Sequence, residues 1–129
     1  MSQYISAVAL VVPDYDAGIA FYVGTLGFDL IEDTQLSATK RWVLIAPKGA
    51  QTRLLLAQAD GPEQSAAIGH QTGGRVGFFL HTDDFVTDHA RMLSAGVHFE
   101  EDPRHEPYGS VAVFQDPFGN RWDLLQLKR

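Results

Sequence analysis

The chain has 129 residues, of which 45% are hydrophobic and 20% charged. That is the length of one ordinary domain, or of two very small modules sharing a core, and it excludes both a disordered chain and a multidomain machine. Sixteen Asp and Glu against ten Lys and Arg leave a formal net charge of −6, so there is no basic stripe to hold nucleic acid or anionic lipid and neither partner is expected. The chain contains no cysteine, which removes disulfides, thiolate metal sites and a Cys nucleophile together and suits a reducing compartment.

The first segment, MSQYISAVALVVPDYD, carries a short apolar run with no charge ahead of it, closed by Pro13 and Asp14 where a signal peptide would have small residues. It reads as a strand, Val8 to Val12, of a cytoplasmic protein. Asp14 is suited to cap a helix containing IAFYVGT, whose apolar stripe is Ile19, Tyr22, Val23 and Leu26; Gly27 supplies a left-handed stop, and FDLIED is a short strand. Arg41 to Ala46 and Thr52 to Gln58 then flank the turn PKGAQ as a hairpin. The segment GPEQSAAIGHQTGG has no sustained period and reads as a linker or flap.

The pattern then repeats. The strand Val76 to Leu80 leads into Asp83 and Asp84, then FVTDHARML with the stripe Phe85, His89, Met92 and Leu93, a stop at Gly96, and HFEED. After an irregular loop, Pro103 to Gly109, a second hairpin joins Ser110 to Gln115 with Arg121 to Leu127 through DPFGN. Each half is therefore βαβββ over about 55–60 residues, too few to bury a sufficient core alone, so the halves must pair. The expected boundaries are 1–60 and 74–129 for the two modules, with a linker over 61–73.

In this order and spacing, VALVVPDYDAGIAFYVGTLGF, TDDFVTDHARMLSAGVHF and VAVFQDPFGNRWDLLQ resemble the vicinal oxygen chelate superfamily, which includes glyoxalase I, bleomycin and fosfomycin resistance proteins and extradiol dioxygenases. The resemblance covers nearly the whole chain. It implies an α+β fold of two βαβββ modules whose curved mixed sheets enclose a small-molecule cavity, commonly in a homodimer. Family enzymes usually hold one divalent ion with His and Glu from four strands. The resemblance puts those positions at Ala7, Leu55, Gly77 (Val76 if Asp83 is the cap) and Asp123. Asp123 alone could ligate, and one carboxylate does not strip water from a divalent ion. No metal or other cofactor is therefore expected, a weakly held divalent ion being the alternative, and an extradiol dioxygenase is the least fitting member.

The candidate catalytic residues are Asp123, His81 and His105, and the candidate ligand contacts are Arg41, Trp42, Arg53, Phe79, Tyr108 and Arg121. If Asp84 is the second cap, Gly77, Phe79 and His81 share the cavity face; if Asp83 is, that parity flips. Asp123 shares its face with Arg121 and Leu125, and an inward carboxylate needs either an internal partner, Arg121, Arg41 or Arg53, or a polar ligand. The loop bearing His105, Glu106 and Tyr108 either closes over the cavity or stiffens a crossover, with Tyr108 packed on Trp122. His89 and His98 read as structural and His70 as solvated. Two functions follow. One is a glyoxalase-like lyase or isomerase acting on a small carbonyl compound. The other is a metal-free binding protein that sequesters a drug or antibiotic. Without Cys or a Gly-x-Ser-x-Gly elbow, covalent acyl transfer has no support.

Overall fold

The helix that follows the first strand of each half starts in the same way, and these two starts organise the halves of the chain. The Asp14 carboxylate accepts a hydrogen bond from the Ala17 N–H at 2.7 Å, and the Asp84 carboxylate accepts one from the Thr87 N–H at 3.2 Å. At each start the amide of the first helical residue is also taken by a glutamine from the last strand of the same half. Tyr15 N–H donates to Gln58 Oε1 at 3.4 Å and Phe85 N–H to Gln126 Oε1 at 2.8 Å, and Gln126 Nε2 donates onward to the Asp83 carbonyl at 3.0 Å. Each cap ties its helix to the sheet beneath it.

The computed structural model describes residues 1–128 and divides into two units, the first ending at Ile68 and the second beginning at Gly69. The first contains β1 (Ala7–Val12), α1 (Tyr15–Ile19) continuing as a π-helical turn over Ala20–Thr25, β2 (Asp29–Gln35), β3 (Arg41–Ala46), β4 (Arg53–Gln58) and α2 (Gly61–Ala67). The second contains β5 (Phe78–His81), α3 (Phe85–Ser94), β6 (His98–Phe99), β7 (Arg104–Glu106), β8 (Gly109–Gln115) and β9 (Arg121–Leu127). The sheets run β1-β4-β3-β2 and β5-β9-β8-β6, with β7 added to β8. In each sheet the first and last strands of the unit are parallel and the other pairings antiparallel. This is the expected mixed α+β plan, drawn twice.

The cores lie between sheet and helix. In the first unit Leu10, Val12, Tyr22, Val43, Ile45 and Leu56 are fully buried. Gly18 lets the helix approach, since a Cβ there would stand 2.9 Å from Leu56 Cδ1. The stripe differs from the one predicted at ordinary helical period. Leu26 N–H reaches back to the Phe21 carbonyl, and this wider turn brings Phe21 inward beside Tyr22 and Leu26 while Ile19 and Val23 are only half-buried. In the second unit Phe85 and Met92 are buried and His89 lies between the rings of Phe85 and Phe99, the structural role expected of it. Leu93 is 50% exposed, because the helix meets the sheet along a narrow seam of Phe85, His89 and Met92. Gly96 ends α3 with φ +87, allowing the Val97 N–H to bond the Met92 carbonyl.

Two segments are more regular than expected. The proline-flanked loop contains β7, whose register with β8 pairs His105 with Ser110; Pro103 and Pro107 sit just outside it, where no ladder donor is required. The segment read as a linker holds α2, opened by Pro62 in its first turn.

Gln126→Leu removes the acceptor for Phe85 N–H and the donor to Asp83. It should destabilise the protein by about 2 kcal/mol, measured by urea unfolding, with Gln126→Glu losing less because its carboxylate still accepts.

Candidate functional site

Register and alternation decide which side chains share a face. With Leu10, Val12 and Leu56 turned to the helix, the other face of the first sheet presents Ala7, Ala9 and Val11 of β1, Arg53, Leu55 and Ala57 of β4, and Trp42 and Leu44 of β3. Trp42 is 40% exposed, whereas the second tryptophan, Trp122, is 4% exposed and stacked on Phe78 and Phe114. The pairing of β3 with β4 stops at Val43 and Leu56. Beyond it lies a cavity of about 650 Å³ lined by Tyr15, Lys40, Trp42, Leu55, Gln58 and Gln64, among others.

Arg41 also borders this cavity, but its guanidinium is committed on the helix side. It bonds Asp16 at 2.9 Å and Asp33 at 2.7 and 3.1 Å, and lies 5.3 Å from the centre of the Tyr15 ring. The Arg41 hydrogen bond holds the Asp33 carboxyl below the ordinary carboxylate range. Arg41 and Trp42, adjacent in sequence, thus present to opposite faces. Arg53 lies opposite Ala7 on the Trp42 face, and its Nε is buried without a hydrogen-bond partner.

In the second sheet Asp84 is the helix cap, so of the two parities open in the sequence the one that turns Phe79 and His81 together away from the helix applies. Phe79 lies opposite Asp123 and His81 opposite Leu125, so the face away from α3 carries Phe79, His81, Arg121, Asp123, Val111 and Val113. Phe79 is 61% exposed. Asp123 makes no hydrogen bond or ion pair among the described residues. Burial pushes its carboxyl up and the nearby Glu101 charge adds to this, while Arg104 and Arg121 oppose it.

Three further candidate residues take their places as follows. Arg121 pairs not with Asp123 but with Glu100, Nε to Oε2 and Nη2 to Oε1 both at 2.8 Å, while Nη1 donates to the Gly74 carbonyl at 3.0 Å. Its hydrogen bonds hold Glu100 below the ordinary range. Glu100 was invisible in sequence because HFEED offers adjacent acids and only the β6–β8 pairing selects one. His105 stands on the opposite face from Asp123, since Ser110, its partner at 2.9 Å, alternates with Val111. Tyr108 lies half-exposed in the β7–β8 turn, where its carbonyl accepts from Lys128 N–H. The structure therefore joins Phe79, His81 and Asp123 on one face and Trp42 and Arg53 on another, and separates His105 and Arg41 from both.

The residues present do not fit the family's divalent ion. Ala7 and Leu55 offer hydrocarbon, and a Cβ at Gly77 would run into the Thr72 side chain, so no ligating side chain can be seated there without displacing Thr72. Among the described residues no group of three or more His, Cys, Asp or Glu is placed to hold a metal.

The state of Asp123 is testable. Its folded pKa is raised, so the folded state binds more protons than the unfolded state between the ordinary value of 3.8 and the raised one, and stability falls as pH rises through that window. Asp123→Asn should melt above the parent protein at pH 7, with the gap closing as pH is lowered towards 3.8. Thermal melts across that range check it.

Comparison with known proteins agrees with this architecture. The family profile described as Glyoxalase/Bleomycin resistance protein/Dioxygenase superfamily matches residues 4–124. A protein of Shewanella frigidimarina (strain NCIMB 400), named only as uncharacterized, is 55% identical over 129 residues, spanning 98% of this chain and 96% of its own. Among solved structures, UcmS2 is 29% identical with a TM-score of 0.83 over 97% of this chain and 98% of its own. TnmS3, described as an antibiotic binding protein from Streptomyces sp. CB03234, is 35% identical with a TM-score of 0.79 over 98% of both chains. A profile match from near the first residue to near the last, on a doubled βαβββ plan, shows that the chain belongs to the Glyoxalase/Bleomycin resistance protein/Dioxygenase superfamily.

Proposed function

We propose that the protein binds a planar aromatic small molecule without a metal and sequesters it unchanged. The observation that carries this reading is Trp42, an exposed indole on an otherwise largely apolar sheet face at the rim of a cavity of about 650 Å³. A largely antiparallel sheet with one face on its helix ordinarily turns polar side chains outward on the other. Here that other face carries Ala9, Val11, Leu44, Leu55 and Ala57. An indole beside a hydrocarbon floor suits stacking of a flat ring system. The description of TnmS3 as an antibiotic binding protein supports small-molecule binding as the activity. As the superfamily resemblance implies, the chain is taken to act as a homodimer, which light scattering during gel filtration would report as twice the chain mass.

A second reading rests on Asp123, whose carboxyl is pushed towards its protonated form beside Phe79, with His81 on the same face. A carboxyl so placed could move a proton on a small carbonyl compound, in a lyase- or isomerase-like reaction.

One experiment separates the two. The neutral fluorophore N-phenyl-1-naphthylamine should bind saturably, quench the exposed Trp42 rather than the buried Trp122, and resist EDTA. Trp42→Ala should weaken it about tenfold. Absence of saturable binding, or its loss with EDTA, overturns the binding reading. Turnover of a small 2-oxoaldehyde adduct that disappears in Asp123→Asn establishes the second.

A further inference from the structure

The two units follow one plan closely enough to compare position by position. Leu44 opposite Leu55 in the first corresponds to Val113 opposite Asp123 in the second. Ala7 opposite Arg53 corresponds to Gly77, whose N–H bonds the Arg121 carbonyl. Arg53 and Arg121 are therefore the same residue of the repeat, each on the face away from its helix. On the neighbouring strand Glu32, opposite Leu44, stands where Glu100, whose N–H bonds the Val113 carbonyl, stands in the second unit. Each unit thus has an Arg and a Glu at equivalent places.

Only one of the two pairs closes. Arg121 and Glu100 form two hydrogen bonds of 2.8 Å. In the first unit the β2–β3 register slips between Leu30 and Glu32, and Glu32 accepts from the Thr34 hydroxyl at 2.9 Å. Arg53 forms no ion pair among the described residues and its Nε is buried with no acceptor. Arg75 also lacks an ion pair among the described residues, but Arg53 Nε is the one buried side-chain nitrogen or oxygen among them that has no hydrogen-bond partner. A guanidinium stays charged at any physiological pH, and buried donors are otherwise satisfied.

Resting on the proposal that the Trp42 face takes an aromatic compound, we infer that Arg53 is its anion anchor: the ligand is a planar polycycle bearing a carboxylate, sulfonate or phosphate at the end remote from Trp42. The spacing suits such a molecule. Trp42 falls beside Ala57, one step beyond the Val43–Leu56 pair, and Arg53 is four residues earlier on β4. At about 3.4 Å per residue the backbone positions are ~14 Å apart, with Leu44 and Leu55 between them. The flat part lies on hydrocarbon and the anion meets the fork that no internal carboxylate occupies.

The test uses two probes that share an aromatic skeleton, 8-anilinonaphthalene-1-sulfonate and the neutral N-phenyl-1-naphthylamine, titrated against the intact protein. The sulfonate should bind about tenfold more tightly than the neutral probe, and salt should weaken the sulfonate alone. Arg53→Gln should abolish the preference, weakening the sulfonate about tenfold more than the neutral probe. Arg53→Lys keeps the charge without the fork and should retain part of the preference. Arg91→Gln, on exposed α3, removes a charge of the same sign and should alter neither probe. Equal affinity of the parent protein for both probes overturns the anchor even if Arg53→Gln fails to fold, as does an equal loss of both in Arg53→Gln. If neither probe binds, the aromatic-ligand reading itself falls and the anchor with it.

Discussion

The parallel pairing of the first strand of each unit with its last is the constraint from which the arrangement of side chains follows. It sets Ala9 beside Leu55 and Phe79 beside Asp123, and because side chains alternate strictly along a strand, each register assigns every residue of two strands to one face. A slip of one residue would turn Asp123 into the packed layer with Phe114 and Trp122 and put Leu124 in its place. The glutamines at the ends of β4 and β9 lock that register to the helix starts, since Gln58 and Gln126 can reach Tyr15 and Phe85 only when the strands are correctly aligned.

Much of this was legible in sequence. Repeated Asp caps, glycine stops and paired hairpins give the doubled βαβββ plan directly, and alternation correctly groups Asp123 with Arg121. Other features depended on information a linear pattern does not contain. Which face Phe79 and His81 share rested on which of two adjacent aspartates caps α3, a one-residue question that hydrogen bonding to Thr87 answers. The proline-flanked segment bearing His105 reads as an irregular loop with no parity of its own; as a strand its parity is set by Ser110, and His105 lies on the face opposite Asp123. Arg41 looked available because its partners, Asp16 and Asp33, lie 25 and 8 residues away.

At the positions that the family resemblance assigns to ion-holding side chains, this chain carries residues with other surroundings. Ala7 and Leu55 extend a hydrocarbon surface, Gly77 admits Thr72, and Asp123 is a solitary carboxyl whose charge is discouraged by its surroundings. The face of the first sheet away from its helix offers mainly hydrocarbon, and so shape and dispersion, to whatever lies against it. Under the proposed binding function, selectivity rests on ring size and substituent position instead of on oxygen atoms placed around an ion.

The π-helical turn in the first unit has an implication for the duplication itself. Gly27 follows Asp14 by 27 − 14 = 13 residues and Gly96 follows Asp84 by 96 − 84 = 12, so the first copy carries one residue more between cap and stop. The widened ring at Ala20–Thr25 accommodates that surplus locally, leaving cap, glycine and strand exit in phase with the sheet. The copies have therefore diverged in length without diverging in plan. Excising one residue from that ring would be a smaller perturbation than the same deletion in α3, which has no slack to give up.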